Sequence, residues 1–216
     1  MNGFPGSPRL LKGGIVVINA DTSIVQKVIA LQYNPDTLTR TLQVQAMGDG
    51  SDRSEALRLK GPPVETYKLD AEIDATDLME RGDSSVGDVG IQPHLSALEV
   101  LVYPPSAAML ANDRELGTGT LEVAALESPL TVFVWSKTRV VPVRLTDFSI
   151  TEEAFDANLN PIRAKVSLGM RVLSVTDVGF QHKAGQIYLA YQQEKERLSR
   201  TYAGTTLGAL GINRIP

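Results

Sequence analysis

Two stretches of two-residue alternation limit this chain more than any other feature. In residues 67–75, Tyr67, Leu69, Ala71, Ile73 and Ala75 fall on one side, and Lys68, Asp70, Glu72 and Asp74 on the other. In residues 162–172, Ile162, Ala164, Val166, Leu168, Met170 and Val172 alternate with Arg163, Lys165, Ser167, Gly169 and Arg171. Successive side chains of a strand point to opposite faces, so each stretch is a strand with one core face and one wet face. Antiparallel sheets present such faces, whereas parallel sheets are buried on both. The expected fold class is therefore mainly β (β+α), with an antiparallel β domain.

Weaker patterns fill in the order. Residues 15–18 and 24–33 form two apolar runs joined by Asn19-Ala20-Asp21-Thr22, a hairpin signal. Residues 37–45 alternate loosely, and residues 129–135 are apolar on both faces, as in a central strand. Residues 139–150 read as a strand in which Pro142 implies an edge or a bulge. Asp156 to Pro161 is a turn. Leu95, Leu98, Leu101 and Val102 follow helical spacing between Pro93 and the Pro104-Pro105 stop, which predicts an internal helix over 93–102. A second helix is expected over 184–202, with Ile187, Leu189, Tyr191, Leu198 and Tyr202 among charged residues. The organisation predicted is an extended arm over 1–14, a β domain over 15–177, and a C-terminal helix with a flexible tail over 178–216. Two polar, glycine-rich loops, 46–63 and 80–92, are long enough to suggest contacts with other subunits.

The chemistry is sparse. The chain of 216 residues has no cysteine, which removes disulfides, thiolate ligands and cysteine nucleophiles. Its net charge is −4 and its Lys-Arg clusters are short, which excludes a nucleic-acid footprint. There is no basic-then-apolar leader and no apolar run of the ~20 residues that cross a bilayer, so assembly in the cytoplasm without membrane insertion is expected. His94 and His182 lack a second ligand at metal spacing. Asp70, Glu72 and Asp74 lie ~6.5–7 Å apart along one strand face, where nothing raises one pKa selectively, so the set is a solvated acidic face. Gly117-Thr118-Gly119-Thr120 lacks the Lys-Ser/Thr end of a phosphate loop and reads as a hairpin turn, and the lone Trp135 reads as core. The expectation is a non-enzyme with no catalytic residue, no metal and no cofactor. A small-ligand-binding β-barrel is the alternative.

Five segments occur in an order that resembles the tube-domain family of contractile injection systems, the phage-tail-like particles, and more closely their baseplate tube adaptors. They are Leu31-Gln32-Tyr33-Asn34-Pro35-Asp36-Thr37-Leu38; Gly61-Pro62-Pro63 before the strand that ends Ile73-Asp74-Ala75-Thr76; His94 through Pro104; Pro129-Leu130-Thr131-Val132-Phe133-Val134-Trp135; and Phe155-Asp156 through Asn160-Pro161-Ile162-Arg163-Ala164-Lys165-Val166. The resemblance spans residues 24–175. It implies a tube-like antiparallel β-sandwich or barrel with one internal helix, a homo-oligomeric ring of six copies, and a role joining the inner tube to a spike or hub, or a related place as tube initiator or tube-end protein. The partners implied are tube, spike or hub, and baseplate proteins of a phage-tail-like particle. The LysM-type module common in these adaptors has no counterpart here, since a charged helix and a Gly-rich tail stand in its place.

A ring protects edge strands by pairing them with the next copy. The candidate wall residues are Asp70, Glu72 and Asp74 on the first alternating strand, and Arg163, Lys165, Val166 and Arg171 on the second. The two strands could be partners in one sheet, could both line the lumen, or could meet the next ring. The reading favoured is a shared sheet whose polar face looks into a wet channel.

Overall fold

A computed structural model describes residues 11–46, 58–80, 86–117 and 128–215. Most of the predicted N-terminal arm, residues 47–57 and 81–85 of the two loops, and residues 118–120 of the glycine-rich turn lie outside them.

Seven strands form one antiparallel sheet: β1 Gly14–Ile18, β2 Val25–Ala30, β3 Leu38–Gln43, β4 Val64–Asp74, β5 Leu130–Ser136, β6 Arg139–Phe155 and β7 Pro161–Val172. Their order is β2-β1-β5-β6-β7-β4-β3. The fold is thus mainly β with helices, as the alternation implies. Laid flat, such a sheet would hold its edges about 29 Å apart, six spacings of ~4.8 Å. Yet those edges, β2 and β3, are joined by residues 31–37, and Gln32 in that connection bonds Asp74 of β4, so the sheet curls. The seam is bridged by a side chain. The Gln32 amide donates to the Asp74 carbonyl at 2.9 Å and accepts the Asp74 N–H at 3.0 Å, imitating a β-bridge.

The concave side holds the core: Ile15 and Val17 of β1, Phe133 of β5, Val141 and Val143 of β6, and the apolar phases of β4 and β7. Two helices close it. Helix α1 (Ala75–Glu80) continues directly from β4, and α2 (Gln92–Glu99) drops Leu95 and Leu98 into the core. Burying each of these leucines contributes about 1.5–3 kcal/mol. Helix α3 (Ser106–Gly117) leaves Met109 and Leu110 exposed. The short α4 (Val175–Val178) starts with a capping box between Ser174 and Asp177. Helix α5 (Lys183–Arg200) lies against the sheet on two adjacent faces. Tyr188 and Tyr191 join the main core, and Ala184 and Ile187 join a second cluster with Leu130 and Val132.

The structure corrects three expectations. Pro142 lies on a central strand, neither at an edge nor at a register shift, between β5 and β7. It is tolerated because its carbonyl accepts from Leu173, one residue beyond β7; the missing N–H faces the place where that ladder ends. The internal helix is shorter than 93–102, with Leu101 buried in the turn that follows it. Residues 86–91 are also part of the protein's own packing rather than a free loop. Val86 and Ile91 are buried, the Ile91 N–H reaches the Pro161 carbonyl at 2.8 Å, and the Asn160 amide reaches the Asp88 carbonyl at 3.0 Å. Gly90 has φ +60°, and a Cβ there would stand 2.1 Å from the Pro161 oxygen, so only glycine fits this approach.

Candidate interface on the polar face of the sheet

The two alternating strands are direct neighbours. Asp74 stands opposite Arg163, Glu72 opposite Lys165, Asp70 opposite Ser167 and Ala71 opposite Val166. Both strands are interior, since β3 covers one side of β4 and β6 one side of β7. The register brings six of the seven candidate residues onto one wet face, with Arg171 at its far end opposite Thr66. Arg163 grips Asp74 through Nε at 2.8 Å and Nη2 at 2.7 Å, and Glu72 stands 3.9 Å from the same guanidinium. Lys165 bonds Glu153 of β6 at 2.7 Å rather than Glu72 opposite it. Ser167 donates to Asp70. Such exposed pairs add little stability individually and are screened by salt; what they give the face is near-neutrality with a dense polar lining.

Val166 faces the core, and Arg171 pairs away from the rest of the group. Val166 is fully buried, so it belongs to this region only through its backbone. Arg171 is drawn to Asp177 of α4 at 2.7 Å. Asp74 also departs from a purely solvated face. It is buried at the end of β4, where its Oδ1 accepts the Thr76 N–H at 2.8 Å and caps the start of α1.

One charged residue escaped the pattern reading. Glu65 has the parity of Tyr67 and Leu69 and therefore points to the core, where it is 2% exposed. Its Oε1 accepts from the Tyr67 and Tyr191 hydroxyls at 2.8 Å each, and the two hydroxyls lie 2.8 Å from one another. Lys195 of α5 reaches Oε2 at 3.3 Å, and Arg40 of β3 comes to 3.9 Å. Carrying the two-residue period of β4 back by one step would have found it. Burial, then hydrogen bonding within the group, drives the Tyr67 phenol upward, and burial with the Glu65 charge raises Tyr188. Both stay neutral at physiological pH. The cluster ties α5 and β3 to the same point of β4.

Two carboxylates set the acid limb of stability. Burial disfavours ionised Asp74, but the Arg163 and Thr76 hydrogen bonds outweigh it and hold the pKa below the ordinary value. Asp177 behaves alike, with burial overcome by Ser174 and Arg171. A carboxylate whose folded pKa is depressed stabilises the fold above its unfolded pKa of about 3.9 and loses that contribution as pH falls through the folded value. Thermal stability should be flat from pH 7 to about 5 and decline below about 4. The Asp74→Asn, Asp177→Asn double variant should lose stability at pH 7 and show a shallower acid decline. An unchanged decline would refute the assignment.

His182 proves to be the N-cap of α5, its Nδ1 accepting the Ala184 N–H at 3.1 Å. Among the described residues no group of His, Asp and Glu is arranged to hold a metal, and no helix is long and apolar enough to cross a membrane.

No protein-family model matches the chain, and no curated protein matches it. Among solved structures, the chain is similar to one from the tail of an empty GTA particle, determined by helical refinement with C6 symmetry. The two share 13% identity over 74% of this chain and 90% of that one, with a TM-score of 0.29. The likeness is too distant to transfer the role of any residue.

Proposed function

We propose that this protein is a structural component of a phage-tail-like contractile particle, a ring-forming adaptor that joins the inner tube to the spike or hub. The observation that supports it best is the sheet's two open edges. Both β2 and β3 are almost wholly exposed, and neither contains proline. Val25 and Val28 on β2, Leu42 on β3 and Val44 just beyond it are exposed apolar residues. An edge of this kind invites pairing with another chain, and monomeric proteins normally blunt it. Two such unpaired edges can pair with neighbouring copies, and such contact closes into a ring when the rotation permits. The resemblance in the sequence supplies the number, six, and the setting. In this reading the polar face of β4 and β7 lines the lumen, where paired charges and hydroxyls keep the channel wet without gripping what passes. No catalysis and no cofactor are part of the proposal.

The pleat makes the reading testable. Asp74 turns its N–H and carbonyl toward the Gln32 side of β4. Residues of even number in β4 therefore bond β3, through Thr39, Thr41 and Gln43, and Leu42 presents its N–H outward. Leu42→Pro should leave the monomer folded, because proline is tolerated on an edge, and should abolish rings seen by electron microscopy and light scattering. A Leu42→Pro chain that still closes rings with wild-type dimensions would count against pairing at β3. A wild-type chain that stays monomeric with tube and spike proteins present would sink the proposal.

A further inference from the structure

We infer that the free edge of β6, residues 144–155, takes β3 of a neighbouring copy as an added antiparallel strand, with Leu42 of the one opposite Ile150 of the other. Strand β5 pairs with β6 only as far as Val143, whereas β7 follows β6 to Phe155. Among the described residues no strand lies on the other side of β6 beyond Val143. The pleat shows which groups are left over. The Leu173 N–H reaches the Pro142 carbonyl, so odd-numbered residues of β7 bond β6, and Ser167 and Lys165 are answered by Ser149 and Thr151. Phe148, Ile150 and Glu152 therefore turn their backbone groups outward. Residues 144–155 contain no proline, so each outward N–H is a donor that another strand can use.

Strand polarity selects β3 as the partner. Every neighbouring pair in the sheet is antiparallel. Three steps lead from β6 to β3, so those two strands run in opposite directions. Six steps lead from β2 to β3, so those two run alike. Strands that wall a ring run along its axis, and rotation about that axis keeps their polarity. Hence β3 meets a neighbour's β6 antiparallel and a neighbour's β2 parallel, and the antiparallel ladder is the more stable per residue. Strand β2 is also turned toward β4 of its own chain, across a cleft of about 360 Å³ lined by Val28, Ile29, Ala71 and Ile73.

The side chains agree on one register. Leu42 presents its N–H outward, so even-numbered residues of β3 face even-numbered residues of β6. Leu42 against Ile150 sets Val44 against Phe148 and Arg40 against Glu152; on the polar face Thr41 meets Thr151 and Gln43 meets Ser149. Leu42 and Val44 are exposed and Phe148 and Ile150 half-buried, so this register covers apolar residues with apolar ones and pairs opposite charges. A slip of two residues in either direction puts Arg40 against Ile150 or Ala154. Arg40 stands 3.9 Å from Glu65, which leaves donors of its guanidinium for Glu152. The wet face of β6, β7, β4 and β3 then continues from copy to copy. The inference deepens the ring reading above and rests on it for the presence of neighbouring copies.

The chain has no cysteine, so single thiols can be placed at will. Thr41 and Thr151 are both exposed, and within one copy three strand spacings, about 14 Å, separate β3 from β6. That exceeds the reach of about 7 Å between Cα atoms that a disulfide allows. Thr41→Cys and Thr151→Cys chains, mixed with tube and spike proteins present and oxidised, should give the mixed disulfide about tenfold more than Thr41→Cys mixed with Val25→Cys on β2, a ratio equal to one decade of binding. Adding Glu152→Arg to the Thr151→Cys chain sets like charges opposite each other and should lower the yield about threefold. Equal yields with Val25→Cys, or a yield indifferent to Glu152→Arg, would overturn the inference. So would a double Thr41→Cys, Thr151→Cys chain that closes its disulfide within one dilute monomer. Light scattering separates this from the ring reading. Rings without the selective cross-link defeat the β3–β6 pairing and spare the ring, and a selective cross-link between chains that never form rings does the reverse.

Discussion

A Val166→Pro chain is expected to be recovered without its native fold, and therefore without any assembly. Val166 is fully buried, at the middle of β7, paired on one side with Ala71 and on the other with Ile150. Proline removes a ladder hydrogen bond that no solvent replaces in a central strand, and its ring disturbs the packed valine and the neighbouring strand. An unpaired buried carbonyl costs about 1–3 kcal/mol and the disturbed core packing about 1–3 kcal/mol more, a large share of a typical net stability of about 5–15 kcal/mol. Circular dichroism should lose its strand signal and thermal unfolding its cooperative transition. A cooperative Val166→Pro protein would mean that β7 is not the centre of the sheet. The same substitution thus has opposite meanings at two places. At Leu42 it tests an edge and leaves the monomer intact; at Val166 it tests the fold and says nothing about rings.

The second large effect lies at Glu65. Glu65→Ala removes the acceptor shared by Tyr67 and Tyr191 and leaves Lys195 and Arg40 facing each other without their counter-charge. Breaking a buried charged cluster from one side costs about 3 kcal/mol, which in a protein of this size lowers Tm by roughly 6–12 °C. The loss should fall most heavily on α5, whose protection from hydrogen exchange depends on Tyr191 and Lys195 gripping β4. Glu65→Gln keeps an acceptor in the same place and should recover much of the stability. If Glu65→Ala and Glu65→Gln unfold alike, charge rather than hydrogen bonding governs the cluster. If neither differs from wild type, the cluster does not fasten the helix.

Much of this protein was readable from local pattern, because the patterns that matter repeat every two residues. Alternation in β4 and β7 fixed their existence, their core phases and the sign of each polar face; it even allowed the two oppositely charged strands as partners in one sheet, as one arrangement among several. The hairpin of β1 and β2 followed from a turn between apolar runs, and α2 and α5 from helical spacing. What escaped was of two kinds. Helix α3 leaves Met109 and Leu110 exposed rather than burying an apolar stripe, and α1 is too short to interrupt the alternation that runs into it. The rest depended on distance through space. The sequence by itself determined an antiparallel β protein with two charged strands and no visible catalytic set. Only the tertiary structure decided which strands are central and which are edges, since strand order is set by the packing of residues far apart in the chain. It placed Pro142 harmlessly inside the sheet, turned Glu65 inward beneath α5, sent Arg171 to Asp177, and curled the sheet so that β2 faces β4 across an open cleft.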